Sequence, residues 1–157
     1  MRTATIHELK KELAAIPHTE LLEACLRLIK YKKDNKELLT FLLFEAHDLP
    51  GYTEGIKAEI REQMKELSQN HYLMKKGLRK ILRMTNKYIR YAASKETEVE
   101  LLIYFCEQIK EGKLPMHKSA QLSNLYEQQL KKIRKAVSSL HEDLQYDYLK
   151  GMQALEN

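Results

Sequence analysis

The chain of 157 residues contains no tryptophan, three prolines, five glycines and two cysteines. So few breakers exclude the frequent tight turns of an all-β sandwich. The glycines are scattered, giving neither a GxGxxG loop nor a P-loop, and no GxSxG elbow is present. The six histidines, at 7, 18, 47, 71, 117 and 141, never recur three or four residues apart, so no HExxH or two-histidine helix face can form. Glu-x-x-His is absent too, which removes the helical di-iron pattern. No metal or cofactor is therefore expected. Cys25 and Cys106 stand alone in apolar surroundings without CxxC spacing and read as two reduced, buried thiols of a cytosolic protein. The longest apolar run, Leu38 to Phe44, is seven residues including Thr40, whereas a bilayer span needs about 20, so no membrane crossing is expected. Met1 to His7 reaches charged residues without an apolar core, so no signal peptide is expected and the expected location is the cytoplasm.

What is present is helical. Hydrophobic residues make up 43% of the chain, enough for a buried core. Thr5 with Glu8 has capping-box spacing and opens a short helix ending near Ile16-Pro17. A second helix from about Thr19 puts Leu21, Leu22, Cys25, Leu28 and Ile29 on one face. Asp34 with Glu37 repeats the box and predicts a third helix, Asn35 to about His47, apolar nearly all round and so expected at the centre of the core. Pro50-Gly51 predicts a turn before a fourth helix, about 53–67, with Ile56, Ile60, Met64 and Leu67 on its inner face. The fifth runs from about Asn70 to Ala93, and the sixth from a Thr97–Glu100 capping box to Gly112.

From about Ser119 the pattern stays helical to the end. Tyr126, Leu130, Ile133, Val137, Leu140, Leu144 and Tyr148 form a heptad-like seam. Some 32 residues of straight helix would reach about 50 Å, against a radius of gyration near 15 Å for a compact chain of this size. This long helix therefore bends, at Ser138-Ser139, and folds back on the others, or it projects. A projecting helix would offer the seam through Tyr126, Leu130, Ile133, Val137, Leu140 and Leu144 to a second copy as a homodimer. The expected fold is all-α, with about seven helices as antiparallel hairpins in an irregular bundle or short α-solenoid. Residues 1–111 form the helical body, 112–118 the linker and 119–157 the long C-terminal helix packed on the body, a single domain overall.

Charge is distributed unevenly. Residues 1–66 carry 11 basic and 12 acidic groups, and 96–157 carry 8 and 10. Residues 67–95 carry 8 basic and none acidic, so the net +5 comes from one helix. On a helical wheel Lys75, Lys76, Arg79, Lys80, Arg83, Lys87 and Arg90 fall within roughly 140°, together with Asn86 and Tyr72. The opposite side holds Met74, Leu78, Ile81, Leu82, Met84, Tyr88, Ile89 and Ala92, with Gly77 positioned for close approach of a neighbouring backbone. Like charges at i, i+4 cost roughly 0.2–0.5 kcal/mol per pair, so an acidic surface is expected opposite. Within the chain, Glu96, Glu98, Glu100, Glu107 and Glu111 of the next helix could supply it.

Asn35–Ala46 (NKELLTFLLFEA), Leu78–Arg83 with Asn86–Tyr91 (LRKILR, NKYIRY) and Glu98–Leu102 (EVELL) together resemble a family of small, all-helical bacterial proteins with no assigned activity. The likeness covers roughly residues 20–111 and implies a cytosolic bacterial helical protein and nothing catalytic. The C-terminal helix lies outside it.

Acidic pairs such as Glu59/Glu62 and Glu142/Asp143 alternate with lysines on solvated helix faces and do not make an acid–base dyad. The reading is a non-enzymatic helical interaction module whose basic face, Lys75, Lys76, Arg79, Lys80, Arg83, Asn86, Lys87 and Arg90, contacts an acidic protein surface or other polyanion. Sequence-independent nucleic-acid binding by the same residues is the alternative, and an enzyme assembled from residues distant in sequence is a third.

Overall fold

The computed structural model describes residues 1–156 and is all-helical, with no strand among them. Eight α-helices follow in order: α1 (Ile6–Ala15), α2 (His18–Tyr31), α3 (Lys33–Thr40), α4 (Leu49–Lys65), α5 (His71–Ala92), α6 (Lys95–Glu111), α7 (Ala120–Val137) and α8 (Glu142–Glu156). A π-helical turn spans Phe41–Glu45 and a 3-10 turn Met116–Lys118. The count exceeds the expected seven because the C-terminal stretch divides. Its helix stops at Ser138–Ser139, whose hydroxyls donate to the carbonyls of Lys135 and Ala136, both at 2.7 Å, competing with the main-chain ladder.

The chain forms two compact units, Met1–Phe44 and Glu45–Asn157. In the first, α1 starts on the expected capping box: the Thr5 N–H donates to Glu8 Oε2 at 2.7 Å and the Glu8 N–H to Thr5 Oγ1 at 3.2 Å. The box expected at Asp34 does not form. α3 already begins at Lys33, placing Asp34 inside the first turn, where its carboxylate still suits the helix dipole. α2 packs on α3, and Asn35 Nδ2 donates to the Leu28 carbonyl at 2.8 Å across their junction.

Phe41 is the single buried side chain among the described residues of this unit. Residues 35–44 of the stretch expected at the centre of the core lie here instead, with Leu42 55%, Leu43 63% and Phe44 69% exposed. An all-round apolar pattern states what a helix can bury, whereas burial is decided by how many elements reach it.

The second unit holds the hydrophobic core, and its central helix is α6, which packs against α4, α5, α7 and α8. Val99, Leu101, Leu102, Phe105, Cys106 and Ile109 of α6 are essentially solvent-free. α6 is capped by Ser94, whose Oγ accepts the Thr97 N–H at 3.3 Å; Thr97, the expected cap, is itself buried one turn inside. α4 begins earlier than expected, at Leu49. Asp48 caps it through the Gly51 N–H at 3.0 Å, and Pro50 occupies the first turn, where a missing N–H costs nothing. Gly77 admits a close approach, yet what approaches is the Leu67 side chain and not a backbone: an added Cβ would lie 2.5 Å from Leu67 Cδ2.

Residues 112–118 lie within this unit, where Leu114 and Met116 pack against the core. Beyond them, α7 buries Leu130, Ile133 and Val137, and α8 packs on both α7 and α6. The Tyr126 hydroxyl donates to the Leu155 carbonyl at 2.9 Å, and Arg134 pairs with Glu156 at 2.6 Å. Leu130, Ile133 and Val137 of the heptad-like seam are thus buried in the core of their own unit, with Tyr126, Leu140 and Tyr148 packed against it.

Candidate functional site

α5 forms where Asn70 can cap it: Asn70 Oδ1 accepts the N–H groups of Tyr72 and Leu73 at 3.0 and 3.2 Å. Its apolar stripe, Met74, Leu78, Ile81, Thr85 and Ile89, is buried. Thr85 satisfies its buried hydroxyl by donating to the Ile81 carbonyl at 2.9 Å. Burying that stripe fixes the rotation of the helix and turns the basic arc outward. Lys76, Arg79, Lys80, Arg83 and Arg90 are exposed, while Lys75, Asn86 and Lys87 are half-buried.

The acidic residues of α6 make no ion pair with Lys76, Arg79, Lys80, Arg83 or Arg90. Glu98 pairs with Lys95 at 2.7 Å at the start of its own helix. Glu100 reaches the other way, to Lys57 of α4 at 3.2 Å, and Lys57 also holds Glu54 at 2.7 Å. Glu96 and Glu100 both accept from the Tyr148 hydroxyl of α8, at 3.5 and 3.4 Å. Burial, followed by the charges of Glu100 and Glu96, pushes the Tyr148 pKa up to about 12. The helix that follows α5 therefore directs its carboxylates to itself, α4 and α8. Among the described residues, Lys76, Arg79, Lys80, Arg83 and Arg90 make no ion pair.

Two open hollows lie along this face. One, of about 490 Å³, is lined by Tyr72, Lys75, Lys76, Arg79, Leu82, Arg83 and Asn86. Lys75 lies 5.9 Å from the Tyr72 ring centre and donates through Nζ to Gln121 Oε1 of α7. The other, of about 580 Å³, is lined by Asn86, Ile89, Arg90, Ala93, Ser94, Lys95, Glu98 and Lys132. Asn86 borders both, so they adjoin; its Nδ2 donates to the Leu82 carbonyl at 2.8 Å. Ala93 ends α5 in the left-handed conformation, with φ 49°, at the rim of the second hollow.

Sequence reasoning assembled the α5 residues but missed Lys95 and Lys132. Lys132 belongs to the run Lys131-Lys132-Ile133-Arg134-Lys135, a local signal obscured because the segment 96–157 carries more acid than base overall. Gln129, one turn earlier in α7, is buried; its Nε2 donates to the Leu125 carbonyl at 3.0 Å while Oε1 has no partner.

Cys106 is buried in the core, where burial above all, then the charge of Glu107, pushes its pKa up to about 12, so it offers no thiolate at neutral pH. Cys25, expected to be buried, is only half-buried on α2. Among the described residues no three of His, Cys, Asp and Glu gather as a metal ion would require, and no helix is long and apolar enough to cross a membrane. Compared with protein-family models, with curated proteins and with solved structures, the chain matches none.

Proposed function

We propose that this protein is a non-enzymatic helical interaction module that uses the outward face of α5 to hold an acidic partner surface. The observation that carries this reading is the set of five exposed cations, Lys76, Arg79, Lys80, Arg83 and Arg90, with no ion pair among the described residues. Their mutual repulsion costs roughly 0.2–0.5 kcal/mol per i, i+4 pair, and a carboxylate- or phosphate-bearing surface laid along the helix removes it. Arginine suits such a surface because its planar fork binds oxyanions bidentately.

The test uses the full chain and immobilised poly-glutamate at low ionic strength. Wild-type protein is retained and elutes as salt rises, while Arg79→Glu/Arg83→Glu flows through with unchanged helical circular dichroism. Equal retention of the double variant overturns the reading.

A second reading, sequence-independent binding of single-stranded nucleic acid, is supported by one further observation. Tyr72 is 69% exposed and borders the same hollow as Lys75, Arg79 and Arg83, and stacking of a base on such a ring contributes about 1–3 kcal/mol. It predicts a steep inverse dependence of oligonucleotide affinity on salt and roughly tenfold weaker binding for Tyr72→Ala. Poly-glutamate retention that Tyr72→Ala leaves intact, with no oligonucleotide shift at low salt, decides for the acidic protein surface.

A further inference from the structure

We infer that the hollow at the α5–α6 corner is a binding site for a phosphate monoester. The inference rests on reading the α5 face as anion-binding, and it assigns that face a defined pocket and ligand class at one end. Three different helices or their caps converge there: Asn86 and Arg90 from the last turns of α5, Ser94 and Lys95 from the start of α6, and Lys132 from α7. Three cations against the single carboxylate of Glu98 leave an excess of two positive charges, matching a phosphate monoester, which is largely dianionic above its second pKa of about 6.

The donors also suit that group. Glu98 is held by Lys95 at 2.7 Å, which keeps the one repulsive group occupied. Arg90 and Lys132 make no hydrogen bond or ion pair among the described residues, so both cations are free to bind. Ser94 Oγ spends an acceptor site on the Thr97 N–H at 3.3 Å and keeps its O–H as a donor. Arg90 supplies the bidentate fork and Lys132 a point charge, beside the positive end of the 17-residue α6. A volume of about 580 Å³ lies in the range of small-molecule sites and exceeds what a bare phosphate fills, leaving room for the carrier. Two carriers share this chemistry, a mononucleotide and a phosphorylated side chain.

Adenosine 5′-monophosphate and O-phosphoserine are titrated separately into ¹⁵N-labelled full-length protein at pH 7.5, with benzoate as a monoanionic control. Either phosphate monoester is expected to shift the amides of Ser94, Lys95 and Glu96 saturably, and Arg90→Gln/Lys132→Gln to weaken binding about tenfold or more. Affinity is expected to fall as pH drops from 7.5 to 5.5 and the ligand takes up its second proton. Shifts with adenosine 5′-monophosphate alone assign the site to nucleotides, and shifts with phosphoserine alone to phosphorylated side chains. Absence of shifts with both, equal shifts with benzoate, or undiminished affinity in the double variant overturns the inference. Poly-glutamate retention, which depends on Arg79 and Arg83, is scored separately, so the pocket can fail while the basic face stands.

Discussion

Two stretches of similar apolar character, residues 35–47 and α6, end in opposite environments. The first looks like a core helix in sequence but leaves Leu42, Leu43 and Phe44 exposed within a unit having one buried side chain. α6 carries five glutamates between residues 96 and 111 and is nonetheless enclosed in the core, because α4, α5, α7 and α8 all pack on it. Three of its acids, Glu96, Glu98 and Glu100, are taken up by Tyr148, Lys95 and Lys57. Hydrophobicity of a segment therefore ranks poorly against the number of partners able to surround it.

The sharpest way to break this contrast is to truncate one aromatic ring in each stretch. Phe105→Ala removes a solvent-free side chain of α6 and is expected to cost about 3–5 kcal/mol. Phe44→Ser is expected to change stability by no more than about 0.5 kcal/mol. Urea unfolding followed by circular dichroism measures both, and similar losses would refute the assignment of the core to α6.

The two cysteines, one in each unit, sharpen the same comparison. With a disulfide reagent at pH 8, Cys25 is expected to react under native conditions. Cys106, buried and with its thiolate suppressed, should react slower by a factor of about a thousand or more, and fully only in guanidinium. Two thiols titrating together without denaturant would contradict the burial of α6.

Smaller effects are expected at two irregular points of the second unit. Gln129→Met replaces a buried amide whose Oε1 has no partner with an apolar chain of similar length, and its thermal unfolding is expected to show a gain of about 1 kcal/mol. Ala93→Gly relieves the left-handed residue at the end of α5 and is expected to contribute about 0.5–1 kcal/mol in the same measurement. A loss in either variant would show that the present side chain is held by something stronger than its strain or its missing partner.

Much of the secondary structure and the outward basic arc of α5 were legible in the residues. The Thr5–Glu8 box, the amphipathic pattern of α5 and the break at Ser138-Ser139 depend on contacts within a turn or two, which spacing alone encodes. The expected caps at Asp34 and Thr97 fail because an alternative start lies two or three residues away, and local spacing does not choose between competing starts. The seam Tyr126–Val137 carried a correct pattern but not its destination, since the same stripe serves a second copy or the chain's own core.

The residues by themselves determined that the chain is helical, that its positive charge is concentrated on one face of one helix, and that this face opposes an apolar stripe. Those properties follow from periodicity, which every residue carries with it. Only tertiary structure decided that α6 is the centre, that Glu96 and Glu100 turn to α4 and α8 while Arg79, Arg83 and Arg90 make no ion pair among the described residues, and that Lys132 joins Arg90 at one hollow. Such outcomes depend on which faces of several helices meet, and the packing of buried stripes settles that before any surface charge finds a partner.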